Sequence, residues 1–101
     1  LGHLTGGGTV ANLEALFVHV PGLKVVMPST PADFRGLLAA AIRDDDPVLF
    51  FIDLGLLQRD GDVADEFAPM PLGDAAVRRH GRDVTLVSYA KTVDTCLVAA
   101  E

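Results

Sequence analysis

Two apolar runs separated by a helix-length segment constrain the fold of this chain more than any other feature. Val25–Met27 is a short apolar run that Pro28 ends, and Val48–Ile52 is a second, unbroken apolar run. A run without polar residues is typical of a parallel strand that is covered on both faces. Because the spacing between the runs allows one helix, the sequence predicts a β-α-β unit and an α/β fold.

The segment between these strands carries the start and stop signals of a helix. Thr30 is a suitable N-cap, Pro31 suits the first helical position, and Asp33 lies in the first turn, where the helix dipole favours an acid. Arg43 lies in the last turn, where a cation is favoured. The apolar residues at helical spacing form one stripe: Phe34, Leu37, Leu38, Ala41 and Ile42.

Weaker signals predict further elements on either side. Asn12 is a suitable N-cap for a helix that Pro21-Gly22 ends, with one apolar face made of Leu13, Leu16, Phe17 and Val20. Strands are predicted at residues 75–79 and 83–89. Thr92 is predicted to cap a last helix, with one face made of Val93, Cys96, Leu97 and Ala100.

Residues 55–72 lack periodicity and contain turn-forming residues and prolines, so we expect an interdomain linker there. This divides the chain into residues 1–54, the linker 55–72, and residues 73–101, where a second α/β domain begins. The chain lacks an initiator Met and stops at Glu101 inside the predicted last helix, so we expect a fragment.

The composition narrows the classes of partner. Half of the residues are hydrophobic, which argues against a disordered chain. The net charge of −6 disfavours binding to nucleic acid and to anionic lipid. No apolar run approaches the roughly 18 residues of a membrane span. The single cysteine, Cys96, excludes an internal disulfide and fits a reducing, cytoplasmic location.

No motif predicts a catalytic residue, and no cofactor-binding residue is assigned. Gly6-Gly7-Gly8 precedes a predicted helix, but no Gly-Lys-Ser/Thr follows, so a conformational loop is favoured over a phosphate loop. His3, His19 and His80 lack a second ligand at metal spacing. Ser29 and Ser88 lack an adjacent base.

Asp44-Asp45-Asp46 at the end of the predicted helix is the one cluster that indicates chemistry. Acids at a helix C-terminus are unfavourable against the dipole, so three of them indicate a compensating cation. Freed carbonyls at a helix end and a carboxylate together make a hard oxygen site. The alternative interpretation is a solvated helix end.

Several segments match one protein family in order and in spacing. They are Leu13–Phe17, Pro21–Val26, Pro28–Pro31, Gly36–Leu38 and Ala41–Val48, followed by Gly61–Val63, Pro71–Gly73 and Gly81–Val87. The first five resemble the pyrimidine-binding domain of the beta subunits of thiamine-diphosphate-dependent 2-oxo acid dehydrogenases of the pyruvate, acetoin and branched-chain type. The last three resemble the linker and the first strand of the C-terminal domain of the same subunits.

This resemblance implies a transketolase-like domain with a mainly parallel sheet. Residues 1–54 would be the C-terminal part of the pyrimidine-binding domain, and residues 73–101 would be the start of a transketolase C-terminal-like domain. It implies oxidative decarboxylation of a 2-oxo acid with thiamine diphosphate and acyl transfer to a lipoyl group. The implied partners, in a heterotetramer, are an alpha subunit that holds the diphosphate and magnesium, and a lipoyl-bearing acyltransferase.

The resemblance also implies a potassium ion, because beta subunits of this family often bind one at the helix end after Ala-Ile-Arg-Asp. The matching positions are the carbonyls of Ala41 and Asp44, with Asp46 near the same loop. Potassium at these residues is therefore the predicted metal site.

The sequence departs from the family's pattern at positions near its active site. Thr9 stands where the family commonly has a histidine, and threonine cannot carry a proton near neutral pH. Ile52 and Asp53 stand where the family usually has a glutamate and a basic residue. We expect this chain alone to be inactive. The alternatives are a non-catalytic homologue that serves as an assembly module, and another thiamine-diphosphate enzyme such as a transketolase-like protein.

Overall fold

The fold was taken from a computed structural model, which describes residues 4–5, 8–9, 13–66, 68 and 70–101. The elements, in chain order, are β1 (Leu4–Thr5), β2 (Gly8–Thr9), α1 (Glu14–Phe17), β3 (Lys24–Val26), α2 (Pro31–Arg43), β4 (Val48–Phe50), a 3-10 helix (Leu54–Leu56) and α3 (Thr92–Ala99). β1 and β2 form a small antiparallel pair. Gly6, Gly7 and Asn12, on which two predictions rest, lie outside the described residues.

The predicted β-α-β unit is confirmed. β3 and β4 pair in parallel, with Lys24 opposite Val48 and Val26 opposite Phe50. The Phe51 N–H extends the pairing by donating to the Val26 carbonyl at 2.9 Å. This parallel pair, with α2 as its crossover, is the α/β framework of the described chain.

Aromatic side chains of α1 and α2 pack against both faces of this strand pair. Phe34 of α2 packs edge-on against Phe50, with ring centroids 5.4 Å apart, and Phe17 of α1 lies 6.0 Å from Phe51. Successive side chains along a strand point to opposite faces. α1 and α2 therefore pack on opposite faces of the pair, as in a layered α/β domain.

The predicted helix start at Thr30 is also confirmed. The Thr30 Oγ1 accepts a hydrogen bond from the Asp33 N–H at 3.1 Å, and Pro31 occupies the first helical position. The Arg43 guanidinium donates to the Ala39 carbonyl at 3.1 Å in the last turn. One member of the predicted apolar stripe is misplaced, because Ile42 is 75% exposed.

The first predicted helix is shorter than expected. α1 has Leu13 at its N-cap and ends at Phe17, so Val20 lies in the following turn. Val20 precedes Pro21, which disfavours helical backbone at the residue before it. Gly22 completes the reversal with a φ of +79°, a conformation that favours glycine. Of the predicted apolar face, Leu16 is left 60% exposed.

The strands predicted at residues 75–79 and 83–89 are not formed, and that prediction was wrong. Both segments are without regular secondary structure and largely exposed. A strand gains its hydrogen bonds only from a neighbouring strand, and neither segment pairs with another part of the described chain.

The last helix forms, but its predicted cap was wrong. Lys91 is the N-cap of α3 and makes no capping hydrogen bond through its side chain. The Thr92 hydroxyl, already inside the helix, donates to the Tyr89 carbonyl at 2.7 Å and contacts the Ser88 hydroxyl at 2.6 Å. Within the part of the chain that the structure describes, no helix has the length and apolar character of a membrane span.

Much of the chain between the 3-10 helix and α3 lies against α2. The Arg35 guanidinium donates to the Ala64 carbonyl at 2.5 Å, and the Met70 N–H donates to the Gly36 carbonyl at 3.3 Å. The predicted linker 55–72 therefore contacts the helix of the β-α-β unit directly. These contacts hold the segment that follows the 3-10 helix against the first half of α2.

Candidate functional site

The acidic helix end, which we define as Asp44, Asp45 and Asp46, contacts the ammonium group of Lys24. The Lys24 Nζ donates to both carboxylate oxygens of Asp44, at 2.8 and 2.7 Å, and lies 3.1 Å from an oxygen of Asp46. The Asp46 N–H also donates to Asp44, at 2.9 Å. Two of the three acids thus converge on one cation of the chain itself.

The local sequence explains why these groups meet. Lys24 is the first residue of β3, and its N–H donates to the Pro47 carbonyl at 3.0 Å. The parallel register places Lys24 beside Val48, directly after the acidic helix end. The strand pairing therefore brings the ammonium to the C-terminus of α2, where the helix dipole also favours a cation.

Hydrogen bonding shifts the ionisation of both partners. The bonds to Asp44, and then those to Asp46, raise the pKa of the Lys24 ammonium. The Lys24 ammonium, followed by the Asp46 N–H, lowers the pKa of the Asp44 carboxyl. Both shifts favour the charged forms, so the pair is ionised at neutral pH.

The potassium site was predicted at the backbone carbonyls of Ala41 and Asp44, with Asp46 near the same loop, whereas the contacts of Lys24 are with side chains. The carboxylates of Asp44 and Asp46 lie around Lys24, and the Ala41 carbonyl accepts the Asp44 N–H at 3.4 Å. Among the described residues, no group of three or more histidine, cysteine or acidic side chains is arranged to hold a metal ion. Potassium at Ala41, Asp44 and Asp46 stays a prediction.

A cleft of about 220 Å³ lies where the chain leaves the carboxyl ends of β3 and β4. We call it the carboxyl-edge cleft, and its lining residues are Pro28, Ser29, Thr30, Pro31, Phe34, Ile52, Asp53, Leu56, Leu57 and Arg59. In open α/β sheets, ligands bind outside the carboxyl ends of the strands. This cleft was not predicted, although the predicted parallel strands already located that edge.

The two charged side chains that line the carboxyl-edge cleft have partners within the chain. The Arg59 guanidinium pairs with Asp94 of α3 at 2.5 Å. One oxygen of Asp53 accepts the Gly55 N–H at 2.8 Å. Three positions depart from the family's pattern, and two of them, Ile52 and Asp53, line the cleft. The third is Thr9, whose side chain is not among those that the structure describes.

A further ion pair was not predicted from the sequence. Asp33 is 4% exposed, and one of its oxygens accepts a hydrogen bond from the Arg78 guanidinium at 2.6 Å. The sequence indicates only the favourable position of Asp33 in the first turn of α2. Arg78 lies 45 residues away, so no local pattern connected the two.

These observations define an α/β protein built on a parallel β-α-β unit, with a cleft at the carboxyl edge of its strands. The sequence of residues 9–59 matches the transketolase pyrimidine-binding domain. The chain belongs to this family, which confirms the resemblance seen in the sequence.

Similar proteins extend the likeness beyond that segment. The chain is 48% identical over 89 residues to the subunit beta of acetoin:2,6-dichlorophenolindophenol oxidoreductase of Bacillus subtilis, covering 88% of this chain and 26% of that protein. It is 47% identical over 91 residues to the subunit beta of 2-oxoisovalerate dehydrogenase of the same organism, covering 89% and 28%. It is 43% identical over 89 residues to the pyruvate dehydrogenase E1 component subunit beta of Rickettsia felis, covering 88% and 27%.

The chain thus spans about a quarter of the length of these relatives. The matched part of this chain is nearly all of it, since the alignments reach well past residue 59. The likeness therefore includes the segment that lies along α2 as well as the β-α-β unit.

Proposed function

We propose that this chain is part of the beta subunit of a thiamine-diphosphate-dependent 2-oxo acid dehydrogenase. One observation carries the proposal: the chain matches the transketolase pyrimidine-binding domain and is 43–48% identical to beta subunits named for acetoin, 2-oxoisovalerate and pyruvate. The reaction proposed for the whole protein is oxidative decarboxylation of a 2-oxo acid, with transfer of the acyl group to a lipoyl group.

We also propose the assembly that the family resemblance implies. An alpha subunit would hold the diphosphate and magnesium, and a lipoyl-bearing acyltransferase would receive the acyl group, in a cytoplasmic heterotetramer. Thiamine diphosphate, when bound, supplies the carbanion chemistry, and the protein supplies position and electrostatics.

Among the described residues, those that line the carboxyl-edge cleft include no unpaired cation for the diphosphate of that cofactor. A diphosphate is held by free cations or by unpaired N–H groups. The only cation lining the carboxyl-edge cleft, among the residues described, is Arg59, which is paired with Asp94. The Asp53 carboxylate in the same lining would repel the anion. This supports the assignment of the diphosphate to another subunit. No catalytic step is assigned to the described residues.

What the described residues supply is a scaffold. The parallel register of β3 and β4 fixes their carboxyl ends, and the capped start of α2 fixes the backbone from Pro28 to Pro31 beside them. Phe34, packed on Phe50, holds α2 over this edge. The chain would thus position the edge of the pyrimidine-binding domain, without a described residue in a catalytic role.

The test uses the intact protein that contains this chain, combined with its alpha subunit, thiamine diphosphate and magnesium. We expect release of carbon dioxide from at least one of pyruvate and 2-oxoisovalerate, and acylation of an added lipoyl domain. Omitting either subunit should abolish the reaction. An assembled complex that binds the cofactor but turns over neither acid would contradict the proposal.

A non-catalytic assembly module is the second candidate, and the residues at positions 9 and 52 favour it. Threonine and isoleucine there cannot take the proton-transfer roles of a histidine and a glutamate. Sedimentation velocity with the alpha subunit and calorimetric titration with thiamine diphosphate separate the candidates. Association without cofactor binding would establish the assembly module. A transketolase-like enzyme is less favoured, because the relatives cited are all oxidoreductase subunits.

A further inference from the structure

A strained turn precedes α3, and its strained residue is Ala90. Ala90 has a φ of +48°, the only positive φ of a non-glycine residue in the described part of the chain, and it is 5% exposed. An L-residue rarely adopts this left-handed conformation, so it persists only where its surroundings hold it. We infer that Ala90 is a releasable anchor, through which residues 88–101, here called the α3 unit, dock on the preceding chain and detach from it as one body. The inference does not depend on the proposed enzymatic activity.

The bonds within the α3 unit are local. The Thr92 hydroxyl donates to the Tyr89 carbonyl at 2.7 Å and contacts the Ser88 hydroxyl at 2.6 Å. The Val93 N–H donates to the Ala90 carbonyl at 3.3 Å. Among the described residues, no backbone hydrogen bond joins the α3 unit to earlier parts of the chain. The turn and the helix can therefore detach together without losing a backbone hydrogen bond.

Polar side chains connect the α3 unit to α1 and to the segment after the 3-10 helix. The Tyr89 hydroxyl donates to the Glu14 carboxylate at 3.4 Å, and the Asp94 carboxylate pairs with the Arg59 guanidinium at 2.5 Å. The side chains of this ion pair are 42% and 38% exposed, so dissolved salt screens their attraction. Docking should therefore weaken as the salt concentration rises.

Apolar burial adds little to the docking. Ala90 is the only buried residue of the α3 unit, all of which the structure describes. α3 itself has no buried residue, and Val98 is 71% exposed. Two parts of a chain that share a small, polar interface are expected to move relative to each other. The strain at Ala90 opposes the docked state, so the balance between docking and release is a close one.

Release of the α3 unit would change the carboxyl-edge cleft. Arg59 lines this cleft, and in the docked state Asp94 is its partner. Detachment removes that carboxylate and leaves the guanidinium at the wall of the cleft. The anchor would thus control whether the charge of Arg59 is neutralised.

The first test measures distances between two spin labels in the intact protein that contains this chain. Its native cysteines, including Cys96, are first changed to serine. Labels at Ile42 and Val98, which are 75% and 71% exposed, report on docking. We expect one distance at about 50 mM salt and a second population at about 500 mM, where screening is stronger. Asp94→Asn should raise the ratio of released to docked molecules about two- to fivefold, and the exposed control Asp62→Asn should leave it unchanged.

The second test acts on the anchor itself. A β-branched residue is strongly disfavoured at positive φ, so Ala90→Val should raise the released-to-docked ratio about tenfold or more. Ala75→Val, in an exposed segment, is the matched control. A second label pair at Val18 and Ile42 should keep its distance in every variant, because it does not include the α3 unit.

Two results would overturn the inference. One is a distance between the docking labels that neither salt nor Asp94→Asn changes. The other is an Ala90→Val variant that releases the α3 unit no more than Ala75→Val does. If Ala90→Val disturbs the second label pair as well, the salt series on the wild type and on Asp94→Asn decides the question.

Discussion

The ion pairs of this chain contribute differently to its stability because their side chains are buried to different extents. Asp33 is 4% exposed and has Arg78 as its partner, so an unpaired Asp33 carboxylate would lack solvation. The Lys24 side chain is 42% exposed, and solvent screens its attraction to the acids. We therefore expect the Asp33–Arg78 pair to affect stability more than the Lys24 pairs.

Removing Arg78 should destabilise the fold. Arg78→Met leaves the buried Asp33 carboxylate without its charged partner, which we expect to cost about 1–3 kcal/mol of unfolding free energy. Chemical denaturation of the intact protein measures the loss. Arg79→Met, which changes the neighbouring exposed arginine, should cost less than about 0.5 kcal/mol. A loss no larger than that of the control would show that the ion pair does not contribute.

The Lys24–Asp44 pair should make stability depend on pH at both extremes. The pKa of Asp44 is lowered by folding, so its stabilisation is present above the unfolded pKa of about 3.9 and is lost as the pH falls through the lower folded value. The pKa of Lys24 is raised, so its stabilisation is present below about 10.4 and is lost as the pH rises through the higher folded value.

Urea titrations of the wild type and Lys24→Met between pH 2 and 11 measure this dependence. The difference in unfolding free energy between the two proteins should be constant from about pH 5 to 9 and should shrink towards both extremes. A difference that does not change with pH would mean that Lys24 acts through packing of its aliphatic stem.

At the scale of elements, α2 organises the described chain. Phe34 faces the parallel strands, and Gly36 and Asp33 face the segment that follows the 3-10 helix. A Cβ at Gly36 would lie 2.5 Å from Cγ of Met70, closer than real contacts allow. Glycine in the middle of this helix therefore permits the close approach of residue 70, at a cost in helix propensity.

Gly36→Ala tests this packing, because two effects oppose each other. Alanine favours the helix by about 1 kcal/mol over glycine. Overpacking against Met70 costs about 1–3 kcal/mol, so we expect a net loss of about 1 kcal/mol in unfolding free energy. In a Met70→Ala background the two contacts shorter than 3 Å are removed and the Cβ of residue 70 remains 3.3 Å away, so the same change should stabilise by up to about 1 kcal/mol. A stabilising effect in both backgrounds would show that Met70 moves aside freely.

At the scale of the whole molecule, apolar surface remains uncovered. Val87 is 90% exposed, and other exposed apolar side chains of the C-terminal region include Val77, Val84, Leu86 and Tyr89. Exposed apolar surface of this kind marks an interaction site or an aggregation risk. The relatives are about four times longer than the segment they share with this chain, so further parts of such a protein are available to cover it.

The 101-residue chain by itself should therefore associate. We expect it to bind a hydrophobic dye and to elute above the monomer mass in size-exclusion chromatography. Changing Val84, Leu86 and Val87 to threonine should reduce both the dye binding and the apparent mass. The reduction should exceed that caused by threonine at Val18, an exposed residue outside the C-terminal region. A monodisperse wild-type chain that melts cooperatively would contradict this expectation.

A sequence prediction was confirmed where the interactions behind it involve residues that are close together in the chain. Thr30, Pro31 and Asp33 specified the start of α2, because a helix cap involves residues within one turn. The strands at residues 75–79 and 83–89 were mispredicted, because an apolar run specifies a strand only where another strand pairs with it. The family was predicted from the order of short segments that resemble it. The match over residues 9–59 confirms that prediction.

The β-α-β unit, the capped helix and the family could be predicted from the sequence alone, since each depends on neighbouring residues or on their order. Which charges meet depends on the tertiary structure. Lys24 reaches Asp44 across 20 residues and Arg78 reaches Asp33 across 45, and both contacts depend on the path of the chain. The sequence indicated that the acids after α2 need a cation. Only the parallel register of β3 and β4 shows that the chain supplies one, because that register brings Lys24 to the helix end.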